Sequence, residues 1–116
     1  MVGWERVDFS AVKGESRVQL DRLRDSEIDG LFQAILALET IEECYQFFDD
    51  LCTIGEIKSL AQRLEVARML RKGCTYHQIE TETGASTATI SRVKRCLHYG
   101  SDGYALILDR VHNQLK

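Results

Sequence analysis

The sequence predicts an all-α fold, and three observations carry that prediction. The 116-residue chain contains no proline, the residue that serves loops, sheet edges and helix starts, so nothing in it obliges a helix to break. Apolar residues recur at three- and four-residue spacing from residue 27 onward. Thr40, Thr53 and Thr75 each stand three positions before a Glu or Gln (Glu43, Glu56 and Gln78), the capping-box pattern that opens a helix. Strand signals are thin: there is no long run of alternating β-branched residues and no Asn-Gly or Asp-Gly pair flanked by such runs.

The elements follow in order. Leu31, Phe32, Ile35, Leu36 and Leu38 predict a first helix from about Ser26 to Leu38. Thr40 opens a second, with Ile41, Cys44, Tyr45, Phe48, Leu51 and Cys52 on one stripe and Phe47 off it, so this helix is apolar over more than one face. Thr53 opens a third, about Ile54 to Lys72, with Ile57, Leu60, Ala61, Leu64, Ala67 and Leu70 as its expected core face. It should be roughly 28 Å long, and Lys72-Gly73 supply the cation and the left-handed residue a helix end favours. Thr75 starts a fourth of only eight or so residues before Gly84, and Ser86 caps a fifth, over 86–98, that turns Ile90, Val93 and Leu97 inward. A turn at 100–103 offers Ser101 or Asp102 as cap for a last helix striped by Tyr104, Ile107, Leu108, Val111 and Leu115.

At 44% hydrophobic and 28% charged, the chain can build one core and has no room for a separate catalytic domain. One domain over 18–116 is expected. Residues 1–17 show no helical period and read as a disordered or non-native extension. Lys13-Gly14-Glu15-Ser16 back-translates to a purine-rich ribosome-binding sequence with Val18 at start-codon spacing. Cys44, Cys52, Cys74 and Cys96 form no Cys-x-x-Cys pair, and the histidines complete no zinc pattern. No metal, reduced thiols and a cytoplasmic location are therefore expected. No paired carboxylates, Ser-His-Asp set or phosphate loop supports an enzyme. The net charge of −3 is uneven. Residues 1–50 carry five Lys/Arg against twelve Asp/Glu, whereas residues 51–100 carry eight against four, so a polyanion would meet the second half.

Two short helices joined by a Gly-centred turn form the helix-turn-helix signature. With Ile90, Val93 and Leu97 inward, the fifth helix is left with Thr87, Ala88, Ser91, Arg92 and Arg95 outward and Lys94 near the edge. Small and hydroxyl side chains let a helix approach base edges in the major groove, and Arg reads guanine or holds phosphate. Thr75, Tyr76, His77 and Gln78 would start a helix lying across the backbone, with Ser86 adding a further contact. The candidate DNA-contacting set is thus Thr75, His77, Gln78, Ser86, Thr87, Ala88, Ser91, Arg92, Lys94 and Arg95. The same hairpin also serves protein contacts, so an interaction module without specific DNA binding is the alternative.

The stretches LAQRLEVARMLRKG at 60–73, TYHQIETETG at 75–84 and GASTATISR at 84–92 resemble the Trp-repressor superfamily, in particular its bacterial YerC/YecD-type branch. The resemblance covers about Val18 to Asp109. It implies a six-helix fold, an intertwined homodimer, and a transcriptional regulator, a repressor, acting on a pseudo-palindromic operator. Two-fold symmetry would put the half-sites about one helical turn apart.

The resemblance also implies a small-ligand pocket between two arginines, at positions matched by Arg63 and Arg92. The glycine that follows the second arginine in the Trp repressor is Val93 here, and a valine would fill the space of the indole. No cofactor is expected, tryptophan is disfavoured, and another small corepressor stays open. Glu80 stands where the repressor carries lysine, so phosphate is repelled there. With about six to eight phosphate contacts per dimer, affinity should fall on the order of 10³-fold or more between 50 and 200 mM salt.

Overall fold

The computed structural model describes residues 25–115, and the expected extension over 1–17 lies outside them. The described residues hold six helices and no strand: α1 (Ser26–Leu36), α2 (Ile41–Leu51), α3 (Ile54–Arg71), α4 (Tyr76–Thr83), α5 (Thr87–Tyr99) and α6 (Gly103–Leu115). They fall into two compact units, one holding α1 and α2, the other α3 to α6.

In the first unit, the Asp25 carboxylate accepts the Ile28 amide at 2.8 Å and caps α1. That helix stops two residues short of the expected Leu38. The Ala37 amide is shared between the carbonyls of Gln33 and Ala34, and Leu38 N–H reaches back only to Ile35, a tightened last turn that ends the α-helical ladder. At α2 the Thr40 hydroxyl accepts the Glu43 amide at 3.0 Å, while the Glu43 carboxylate accepts the amide of Glu39 rather than that of Thr40. The box therefore closes one residue early. Phe47 and Phe48 meet edge to face with centroids 5.6 Å apart.

The second unit has a fully apolar core. Val66, Ala67 and Met69 of α3, Ile79 of α4, Ala85 of the turn, and Ile90 and Val93 of α5 are buried, with Leu70, Leu97, Tyr104 and Leu108 packed against them. Ala67 and Leu70 of the expected face of α3 meet the core, but the buried face is rotated away from the rest of that stripe. Val66 and Met69 lie inside, whereas Leu60 and Leu64 remain 46% and 42% exposed. This helix carries apolar residues on two faces, and only one meets α4 and α5. On α2 the residues read as core are open too, with Ile41 70% and Tyr45 74% exposed.

Helix ends in this unit use glycine where the backbone demands it. Gly73 at φ +88 receives α3: Gly73 N–H bonds the Leu70 carbonyl and Cys74 N–H the Met69 carbonyl, a Schellman closure. Asp102, at φ +65, offers its carbonyl to the Leu106 amide and so begins α6. All four cysteines are free thiols.

Candidate nucleic-acid interface

The α4–turn–α5 hairpin is held by local bonds that its sequence dictates. Thr75 and Gln78 close a complete capping box: the Thr75 hydroxyl accepts the Gln78 amide at 3.1 Å, and the Gln78 side-chain oxygen accepts the Thr75 amide at 2.8 Å. Gly84 takes φ +74 and ends α4, a left-handed conformation other residues adopt only at a cost. Thr83 stitches the turn by donating to the Ile79 carbonyl at 2.7 Å and accepting from the Ala85 amide at 3.1 Å. Gln62 of α3 reaches across to donate to the Thr83 carbonyl at 3.1 Å. Ser86 accepts the Thr89 amide at 3.1 Å and starts α5.

One side of α5 is sealed by Ile90, fully buried, and Val93, 1% exposed. The other side is open. Thr87, Ala88, Ser91, Arg92, Lys94 and Arg95 are all exposed, as are Thr75, His77 and Gln78 at the start of α4 and Ser86 at the cap. Thr75, Gln78 and Ser86 spend side-chain acceptors on the caps, which leaves the Gln78 amide protons and the free N–H groups of the helix starts for a ligand.

Two further bonds tie the outward faces together. Thr87 donates its hydroxyl proton to Glu80 Oε2 at 2.5 Å. Tyr76 and Ser91 share a hydroxyl–hydroxyl bond of 3.2 Å, and Lys94 Nζ lies 5.8 Å from the centroid of the Tyr76 ring. Tyr76, Gln62 and Thr83 therefore shape the interface although none belongs to the expected contact set. A Thr directly before a left-handed Gly was the available signal for Thr83. Nothing local marks Gln62.

Arg63, half-buried on α3, and exposed Arg92 on α5 are the pair expected to sandwich a ligand. Val93 is packed in the core with Ile79 and Ile90, on the inward side of α5 that its spacing predicted. A cavity of about 630 Å³ lies among Arg71, Cys74, Tyr76, Lys94 and His98, and another of about 480 Å³ among Arg68, Arg71, Leu108 and His112. Neither is lined by Arg63 or Arg92. Arg71 is already engaged by Asp109 at 2.6 Å and the Ala105 carbonyl at 3.3 Å. Arg68 donates through Nε to Glu65 at 2.9 Å and through a second guanidinium nitrogen to the same carboxylate. That guanidinium holds the Glu65 carboxyl below its ordinary range. Among the described residues no cluster of His, Cys, Asp and Glu is arranged to hold a metal ion, and no helix is long and apolar enough to cross a membrane.

Comparison with known proteins agrees with this geometry. The family model for the Trp repressor protein matches residues 26–112. The uncharacterized protein YerC of Bacillus subtilis (strain 168) is 73% identical over 94 residues, covering 81% of this chain and 90% of YerC. A crystal structure from Staphylococcus aureus, assigned provisionally as a Trp repressor, superposes with a TM-score of 0.78 at 63% identity, covering 81% of this chain and 94% of that one. A TrpR-like protein from Eubacterium eligens ATCC 27750 gives 0.77 at 54% identity over 79% and 95% of the two chains. A hairpin with a sealed and an open side, inside a six-helix chain matched over nearly its whole described length, places this protein in the Trp repressor family of DNA-binding transcription regulators.

Proposed function

We propose that the protein is a sequence-specific transcriptional repressor that binds a pseudo-palindromic operator as a homodimer, with α5 as the reading helix. The observation that carries this is the outward face of α5: Thr87, Ala88, Ser91, Arg92 and Arg95 are exposed along one side while Ile90 and Val93 are buried on the other. Small side chains at its start permit close approach to base edges, and the cations follow where the helix leaves the groove. The capped start of α4 supplies amides to phosphate. Dimerisation is supported by apolar residues that one chain leaves open, among them Leu36, Ile41, Tyr45, Leu60 and Leu64, more exposed apolar side chain than a solitary domain carries comfortably.

The reading assigns no catalytic role. Retardation of genomic fragments tests it: wild-type protein should select fragments above non-specific background at physiological salt, and a Thr87→Ala/Arg92→Ala variant should lose them while light scattering still reports a dimer. Absence of any selected fragment would refute DNA reading and favour a protein partner for the hairpin. Retention of the fragments by the variant would refute α5 as the reading helix.

A further inference from the structure

A carboxylate on a DNA-facing surface is a liability unless it meets a donor, because it opposes every nearby phosphate. Glu80 borders the exposed face of α5 that is proposed to meet DNA. It is half-buried on α4, and its Oε2 accepts the hydroxyl proton of exposed Thr87, on the first turn of α5, at 2.5 Å. A threonine hydroxyl has one proton to give, and an ionised carboxylate has none. With that proton donated to Glu80, the pair offers only lone pairs to whatever approaches, and the neighbouring Ala88, small and exposed, does not obstruct the approach.

Base edges in the major groove differ sharply toward such a surface. Guanine presents N7 and O6, both acceptors, and thymine presents O4 and a methyl group. Adenine presents an N6 amine beside the acceptor N7, whereas the N4 amine of cytosine stands as a donor with no acceptor on its own ring edge. An acceptor-only pair therefore repels guanine and thymine, meets adenine with one favourable and one unfavourable atom, and fits cytosine. We propose that Glu80, held in place by Thr87, is a specificity-determining residue that accepts from the N4 amine of a cytosine at one symmetry-related position in each half-site. The inference rests on the DNA-reading role of α5 and assigns one base preference within it.

Glu80→Gln separates base reading from a merely structural tie. Glutamine keeps the size and an oxygen that accepts from Thr87, but it adds two amide protons, the set that suits adenine N7 and N6. Glu80→Ala removes the acceptor and favours the helix. Rounds of selection from random duplex DNA with the wild-type protein and both variants should give one shared motif apart from a single symmetric position. That position should be cytosine for wild type, adenine for Glu80→Gln and unselected for Glu80→Ala. Substituting the cytosine should weaken wild-type binding roughly 5- to 150-fold, the cost of one mismatched pair, and leave Glu80→Ala binding unchanged. Identical motifs from all three proteins, or a guanine or thymine opposite Glu80, would overturn the inference while leaving the DNA-reading role intact. Failure of the wild-type protein to enrich any sequence would remove that role, and the inference with it.

Discussion

Replacing Leu60 and Leu64 of α3 by alanine should weaken self-association strongly while leaving each chain helical. These leucines stand one turn apart on a face that does not meet α4 or α5, and they remain 46% and 42% exposed. Fully burying a leucine side chain contributes about 1.5–3 kcal/mol, so covering what is still exposed at these two positions is worth about 1.5–2.5 kcal/mol per chain. Both chains contribute in a two-fold dimer, which doubles the figure to about 3–5 kcal/mol. At 1.4 kcal/mol per factor of ten, the dimer dissociation constant should rise between roughly one hundred- and several thousand-fold. Alanine is the strongest helix former, so α3 itself should persist.

Sedimentation equilibrium over a range of protein concentrations measures the constant directly. Urea unfolding at several concentrations covers the case in which the chain has no stable folded monomer, because the midpoint of an obligate dimer then rises with concentration. The reasoning fails if the double variant dimerises as tightly as wild type, or if the wild-type midpoint is independent of concentration. The first outcome would mean that a second copy does not cover this face, and the second that no second copy covers the chain at all.

Four other outcomes follow from the same structure. Ile90 is fully buried between α3 and α4 residues, so Ile90→Ala should cost about 2–5 kcal/mol and Ile90→Val about 0.5–1.5 kcal/mol in urea titration; equal costs would deny the close packing. Gly84→Ala meets no neighbour but must hold φ +74, a strain of about 1–2 kcal/mol. At Gly100, where φ is ordinary, an added Cβ would lie 2.5 Å from the Cys96 carbonyl oxygen, and forced overpacking of that kind costs about 1–3 kcal/mol; a neutral Gly100→Ala in thermal unfolding would refute the clash. Finally, the Arg68 guanidinium lowers the Glu65 pKa below its ordinary 4.5. A carboxylate depressed on folding contributes stability that is present above that value and lost as pH falls through the folded pKa. Because both side chains are about half exposed, the contribution should stay below about 0.5 kcal/mol, and Arg68→Ala should lose that much at pH 7 and nothing near pH 2.

The hairpin was legible because its signals are local. Thr75 with Gln78, Gly84 at the turn and Ser86 at the next cap each act within three residues of themselves, so their spacing along the chain is already their geometry. The core of α3 was not. Apolar residues at helical spacing show that a face seeks cover, but not which face meets which neighbour. Leu60 and Leu64 belong to a stripe as regular as the one through Val66 and Met69 that was buried instead. The bonds from Glu80 to Thr87, from Tyr76 to Ser91 and from Gln62 to Thr83 join residues seven to twenty-one positions apart, and no periodicity anticipates such pairs.

Those three bonds alter what the reading face is. Taken from the sequence alone, α5 offers a row of independent side chains, each free to meet a base or a phosphate. In the folded hairpin, Thr87 and Ser91 are each bound to a residue of α4, while Ile79, Ile90 and Val93 fix the two helices from beneath. Side chains held from both directions lose less freedom on binding than free ones do, and the Thr87 hydroxyl, its proton given to Glu80, is left as an acceptor. The basic residues and the bound polar residues then divide the work. In the proposed reading, Arg92, Lys94 and Arg95 add attraction for phosphate that salt screens, and the net charge of −3 conceals it because the acidic first half outweighs it. In that same reading, discrimination falls to Glu80 and to the residues that α4 holds in place, so a substitution in α4 changes which sequence is read.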